Sequence, residues 1–216
     1  SPNFSSPSCA LILGPEAVGV TPSPNAPKRR SASQNVAGAD LRLGNLASFE
    51  IKGWDFAVSY AVYGILGGSL DLTLVGTYLE SYEYDAGPGY PALDLAGSFG
   101  TEPYLGQVPA AFPEWKANIT STYSRQNWGV SYLLRWLDGV DDITGSDCGL
   151  SCDVDAYFYH DLNGYFDWGN TTFSFGVRNL FDKDPPYVTN YADMNTLSLN
   201  YDTSGRYFYT GISMRF

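Results

Sequence analysis

The chain has 216 residues, a formal net charge of −11, and only 16% charged residues beside 16% aromatics and 23 glycines. Soluble proteins average about 25% charged residues, and so acidic a chain excludes nucleic acid as a partner, because a phosphate-binding surface must be basic. No run approaches the roughly 18 apolar residues of a membrane helix, so any membrane crossing falls to strands, which need only about 9–11 residues of alternating polarity.

Residues 1–33 are rich in Pro, Ser and Asn, without sustained periodicity, and read as a loop. The opening Ser1-Pro2-Asn3-Phe4 lacks the basic start and apolar run of a signal peptide. The expectation is a C-terminal piece of something longer. From residue 34 onward the chain settles into period-two alternation, the mark of strands with two unlike faces.

Seven strands are predicted. Segment 46–63 places Phe56, Val58 and Tyr60 on an apolar face; segment 69–80 sets Leu70, Leu72, Leu74 and Tyr78 against Ser69, Asp71, Thr73 and Thr77. In 115–124, Trp115, Ala117, Ile119 and Tyr123 oppose Lys116, Asn118, Thr120, Thr122 and Ser124. In 128–137, Trp128, Val130, Tyr132, Leu134 and Trp136 oppose Gly129, Ser131 and Arg135. Segment 153–167 behaves alike around Leu162 and Phe166, and 171–181 sets Phe173, Phe175 and Val177 against Thr172, Ser174, Gly176 and Arg178. The last, 206–216, carries Phe208, Thr210, Ile212, Met214 and Phe216 on one face and Tyr207, Tyr209, Gly211, Ser213 and Arg215 on the other.

The connections alternate. Gly64–Gly68, Arg125–Asn127 and Asp167–Asn170 are tight, whereas 85–112, 139–152 and 182–204 are long and rich in Gly, Pro and Asp. Membrane barrels show this asymmetry, with short turns on the periplasmic side and long loops outside. Trp54, Trp115, Trp128, Trp136 and Trp168 sit at strand ends, where interfacial girdles form. The aspartates at 138, 141, 142, 147, 153 and 155 read as a solvated loop, with a cation-attracting mouth as the alternative.

Residues able to carry chemistry are few. The single histidine, His160, stands among aromatics and lacks co-ligands for a metal. Asp141-Asp142 lies in a loop with nothing to fix its geometry, so no catalytic role and no cofactor is expected. Cys148 and Cys152, spaced C-x3-C, read as a disulfide tightening an external loop, since a zinc site would need two further ligands. Cys9 is left without an assigned partner. Asn118-Ile119-Thr120 and Asn170-Thr171-Thr172 match the glycosylation sequon but fall in a strand and a turn and carry no weight here.

Against this background, Asn179-Leu180-Phe181-Asp182-Lys183-Asp184-Pro185-Pro186 resembles the N-L-F-D-K-x-P-P segment near the end of TonB-dependent outer-membrane receptors. Tyr201-Asp202, then Gly205-Arg206-Tyr207-Phe208-Tyr209-Thr210-Gly211 and a terminal Phe216, is similar to that family's closing strand. Pro113-Glu114-Trp115-Lys116-Ala117-Asn118, Ile51-Lys52-Gly53-Trp54-Asp55-Phe56 and Ser6-Pro7-Ser8-Cys9-Ala10-Leu11-Ile12 resemble segments of the same receptors, in the same order. The resemblance implies an all-β fold: an antiparallel transmembrane β-barrel segment of about seven strands, part of a 22-stranded barrel of the kind plugged receptors build. Residues 1–33 would be an extracellular loop and 34–216 the C-terminal barrel strands. The family's plug and TonB box are absent from the sequence.

Further implications concern partners. The TonB complex would act through the missing N-terminal part. The outer face would meet lipid and lipopolysaccharide. An extracellular ligand such as a siderophore, vitamin or carbohydrate would meet Tyr104, Tyr187, Tyr191 and Tyr207, the tyrosines near the long loops. Phe208, Ile212, Met214 and Phe216 resemble the terminal signal read by the barrel-assembly machinery. Two other architectures fit the alternation: a small self-contained porin-like or adhesin-like barrel, with 34–60 split into two strands, and a soluble β-sandwich binding module. The aromatic face of 128–137 argues against the sandwich, because exposed to water it would aggregate.

Overall fold

The computed structural model of the chain describes residues 12–13, 38–39, 48–85, 91–102, 106–143, 152–188 and 195–216. The elements in chain order are β1 (Ile12–Leu13), β2 (Gly38–Ala39), β3 (Ser48–Ile65), β4 (Gly68–Asp85), β5 (Leu93–Asp94), β6 (Ser98–Glu102), β7 (Gly106–Phe112), β8 (Trp115–Arg125), β9 (Trp128–Leu137), β10 (Val140–Asp142), β11 (Asp153–Val154), β12 (Tyr157–Trp168), β13 (Thr171–Arg178) and β14 (Tyr207–Met214). There is no helix among the described residues. The chain divides into two compact units, residues 1–49 with 84–93, and residues 50–83 with 94–216. In the first, β1 pairs antiparallel with β2, and the rings of Phe49 and Tyr84 lie 4.8 Å apart.

The second unit is dominated by a wall of seven strands in the order β14-β13-β12-β9-β8-β4-β3. These are the seven segments that alternation marks out. Register keeps one parity across the wall. Phe208 stands opposite Val177, which faces Leu162, then Tyr132, Ser121 and Leu72. One residue along, the row reads Tyr209, Gly176, Asn163, Ser131, Thr122 and Asp71. A slip of one residue would exchange the two faces, so each strand's alternation fixes its neighbour's register.

The polar face is linked by side chains across strands. Ser69 and Ser124 hydroxyls lie 3.0 Å apart, Thr122 and Ser131 lie 2.9 Å apart, and Thr77 donates to Asp55 at 2.6 Å. The Tyr209 hydroxyl donates to Asn163 Oδ1. Glycines on one strand receive rings from the next. Phe56 fills the space a Cβ would need at Gly76, Phe175 does so at Gly164, Tyr165 at Gly129, and Tyr209 at Gly176.

Tight turns gather at one rim. Leu66 and Gly67 have φ of 49° and 77°, the left-handed pair that a two-residue hairpin demands. The Tyr123 hydroxyl reaches the Ile65 carbonyl at 3.2 Å, Asp167 N donates to Asn127 O at 2.7 Å, and Arg215 N donates to Asn170 O at 2.9 Å. The long connections leave from the opposite rim.

Those connections are more ordered than their composition predicts. Residues 98–112 and 140–154 supply a second sheet in the order β11-β10-β6-β7. The wall pairs are antiparallel as expected, whereas in this second sheet β6 and β10 run parallel, with Ser98 opposite Asp141. They come from different long connections, separated by β7, β8 and β9, so no hairpin forces them antiparallel. Residues 153–167 are likewise two elements, because the backbone leaves β11 at Val154 and enters the wall only at Tyr157. The 171–181 strand stops at Arg178, where Asn179 takes φ 51°.

The buried apolar cluster lies in this region. Phe99, Ala111, Val140, Val154, Val188, Leu197 and Tyr201 pack with Tyr159, and Leu197 is fully inaccessible. The Asn200 side chain behaves as an extra strand residue beside β7, accepting from Ala111 N at 2.8 Å and donating to Ala111 O at 2.9 Å.

Candidate functional site

The family-like turn after β13 is built by its own side chains. Asn179 is buried, its amide accepts from Lys183 N and donates to Lys183 O, both at 2.8 Å, and its backbone N donates to Asp161 Oδ1 at 2.8 Å. Asn is among the few residues other than glycine that tolerate the left-handed backbone found there. Asp182, also at positive φ, accepts from Arg206 N at 2.7 Å and from the Arg206 guanidinium at 3.3 Å. These contacts, the backbone one foremost, hold its carboxyl below the usual aspartate range. Gly205, at φ 65°, gives Asp182 its approach, since a Cβ there would sit 3.1 Å from the carboxylate. The N-L-F-D-K and G-R segments are therefore two halves of one clasp. Lys183 completes it, with Nζ 4.0 Å above the ring of Tyr157, whose hydroxyl donates to Asp184 O.

Beside the clasp, Arg135 of β9 projects from the polar face between two carboxylates. Its Nε lies 3.1 Å from Asp161 Oδ2, Nη1 lies 3.2 Å from Asp202 Oδ1, and Nη2 contacts Asp202 Oδ2. The guanidinium carbon stands 4.7 Å over the ring of Tyr159, and the Asp202 amide donates to the Tyr159 hydroxyl at 3.1 Å. Planar, five-donor arginine suits such bidentate bridging where lysine would not. This node ties residues 195–206 to the wall.

Next to it opens a recess of about 420 Å³, lined by Arg178, Ser198, Tyr201, Asp202, Thr203, Ser204, Gly205 and Tyr207. Arg178 stands directly across from Tyr207 in register. Tyr207 is 57% exposed and stacks on Tyr209 at 6.2 Å. Tyr201 is buried, and burial pushes its hydroxyl up to about 12, with Tyr157 adding to the shift. No described residue pairs with that hydroxyl.

Of the four tyrosines singled out from sequence, Tyr207 alone lines the recess. Tyr187 is exposed and stands apart from it, while Tyr104 and Tyr191 lie outside the described residues. Arg178 and Asp202 were legible only as strand and motif residues, and Arg135 only as a polar position. The run Tyr201-Asp202-Thr203-Ser204 is the signal that could have found the recess. Phe208, Ile212 and Met214 are exposed on the apolar face, and Phe216 follows them beyond β14. Cys152 is disulfide-bonded; Cys148, its expected partner, lies outside the described residues. His160 falls on the apolar face, where its Nδ1 pairs with the Tyr132 hydroxyl and its ring meets Phe181 edge-on at 4.8 Å. Among the described residues no group of three or more His, Cys, Asp or Glu is arranged to hold a metal.

Neither the curated proteins nor the solved structures yield a match to this chain. Residues 18–180 match the family described as TonB dependent receptor-like, beta-barrel, a family of outer-membrane receptors and transporters rather than enzymes. With three quarters of its length covered by that match and an antiparallel wall of the expected kind, the chain belongs to the TonB-dependent receptor-like β-barrel family.

Proposed function

We propose that the chain forms the C-terminal wall and external loops of a receptor for energised uptake across a Gram-negative outer membrane. The observation that carries this reading is the parity of the wall. One face is mainly apolar and aromatic, broken by residues such as Ser121 and Thr210, and the other is mainly polar and hydroxyl-rich, which suits a water-filled lumen. The rim of tight turns would face the periplasm, and the rim bearing β6, β7, β10, β11 and the clasp would face outward. A ligand arriving from outside would meet the recess at Tyr207. The TonB complex would supply the energy from the periplasmic side. Phe208, Ile212, Met214 and Phe216 would present the assembly machinery with its terminal signal, and the apolar face would lie against lipid and lipopolysaccharide.

Topology can be tested in intact cells. With Leu199→Cys at the loop rim and Trp168→Cys at the turn rim, a membrane-impermeant maleimide should label the first in whole cells and the second only after lysis. The reverse pattern, or equal labelling, would reject the orientation. Uptake that depends on this protein should disappear when TonB is deleted; uptake that persists would favour a passive porin.

A further inference from the structure

We infer that the recess beside the clasp binds an acidic sugar, a pyranose ring bearing a carboxylate, as the transported ligand or its leading residue; this rests on the receptor reading above. The recess volume falls in the range of small-molecule sites, about 300–1,000 Å³. Its lining sorts into three kinds of group. Ser198, Thr203 and Ser204 supply hydroxyls, Tyr207 supplies one exposed aromatic face backed by Tyr209, and Arg178 supplies a cation.

Charge separates the two arginines nearby. Arg135 is consumed by Asp161 and Asp202, whereas Arg178 is exposed and has no ion-pair partner among the described residues. Asp202 is held in place by Arg135 and by the hydrogen bond from its backbone N–H to the Tyr159 hydroxyl, so its carboxylate is a fixed acceptor whose charge is already compensated. A fixed acceptor, several hydroxyls and an aromatic face match the hydroxyls and the C–H face of a sugar ring. The Arg178 guanidinium, with its planar fork and no ion-pair partner among the described residues, matches a carboxylate on that ring. A flat hydrocarbon would leave the polar lining unpaired, which is costly. A ferric chelate carrying several negative charges would find one available cation, and a neighbouring aspartate against it.

The test is calorimetric titration of the detergent-extracted outer-membrane protein with trigalacturonate and, separately, with neutral galactotriose. Saturable binding of trigalacturonate is expected, with galactotriose weaker. Arg178→Gln should weaken trigalacturonate roughly 10–100-fold and leave galactotriose unchanged, so that the preference vanishes. Tyr207→Ala should weaken both by about 2–10-fold, and Tyr207→Phe should restore them, since the ring face is what binds. Retained heat-modifiable migration on gels identifies variants that are still folded. Equal binding of both sugars, insensitive to Arg178→Gln, would overturn the proposal. So would absence of binding by either sugar in a protein that still performs TonB-dependent uptake of another compound, an outcome that leaves the receptor reading intact. Loss of both binding and TonB-dependent uptake would overturn the two together.

Discussion

The wall and the loop-rim sheet are stabilised in different ways. β3 and β14, the strands at the two ends of the wall, are exposed along almost their whole length, whereas β9 between them is largely half-buried. What holds the wall strands together is the ladder of backbone hydrogen bonds and cross-strand side-chain pairs; on the receptor reading proposed above, lipid is the solvent of the outer face. The loop-rim region is organised like a small water-soluble protein, with Phe99, Val140, Val188 and Leu197 buried at 2% exposure or less. The cohesion of the chain thus changes character between the wall and the loop rim, as the receptor reading requires of strands that leave a membrane.

The sharpest way to separate the regions is Leu197→Ala. Emptying a fully buried site should cost about 2–5 kcal/mol, read as lost hydrogen-exchange protection in β6, β7 and β10 with the wall unchanged. Equal loss in both regions would make them one cooperative unit. Next in size is the contrast between adjacent residues of β9. Leu134 lies on the apolar face opposite Ile119 and His160, and Leu133 lies on the polar face opposite Thr120 and Asp161. Leu134→Arg should destabilise the folded protein in lipid bilayers by about 2–4 kcal/mol, and Leu133→Arg by clearly less, in urea titrations. Equal penalties would mean the faces are wrongly assigned.

Asn179→Ala comes third. It removes both bonds to Lys183 and leaves buried groups unpaired at a strained backbone, for an expected cost of about 1–3 kcal/mol, visible as proteolysis within 182–205. The smallest effect concerns pH. Because the Asp182 carboxyl is depressed in the folded protein, its contribution is fully present above the ordinary aspartate range and is lost as pH falls through its lowered value. Cleavage near Arg206 should therefore rise in acid and become pH-independent in Asp182→Asn; an unchanged profile in that variant would assign the effect elsewhere.

The same contrast explains what could be read in the sequence. A strand between lipid and a wet lumen must alternate at every step, so Trp128, Val130, Tyr132, Leu134 and Trp136 announce both their element and its outer face. The loop-rim core leaves no such periodic trace. Phe99, Ala111, Val140, Val154 and Leu197 come from well-separated segments without sustained alternation, and β10 and β11 are three and two residues long. The site divides in the same manner. Tyr207 follows from its place at the end of an alternating strand, but nothing local connects Arg135 to Asp202, 67 positions later.

The rings lying over glycines carry a consequence for how such chains diverge. Phe175 over Gly164 and Phe56 over Gly76 are lock-and-notch marks that identify one alignment of neighbouring strands among those two residues apart. Either partner changed alone spoils the mark: a side chain in the notch collides with the ring, and a lost ring leaves a gap. Relatives of this chain should therefore gain and lose each pair as a unit, and a glycine paired with a distant aromatic column becomes a ruler for aligning strands whose loops share no recognisable sequence.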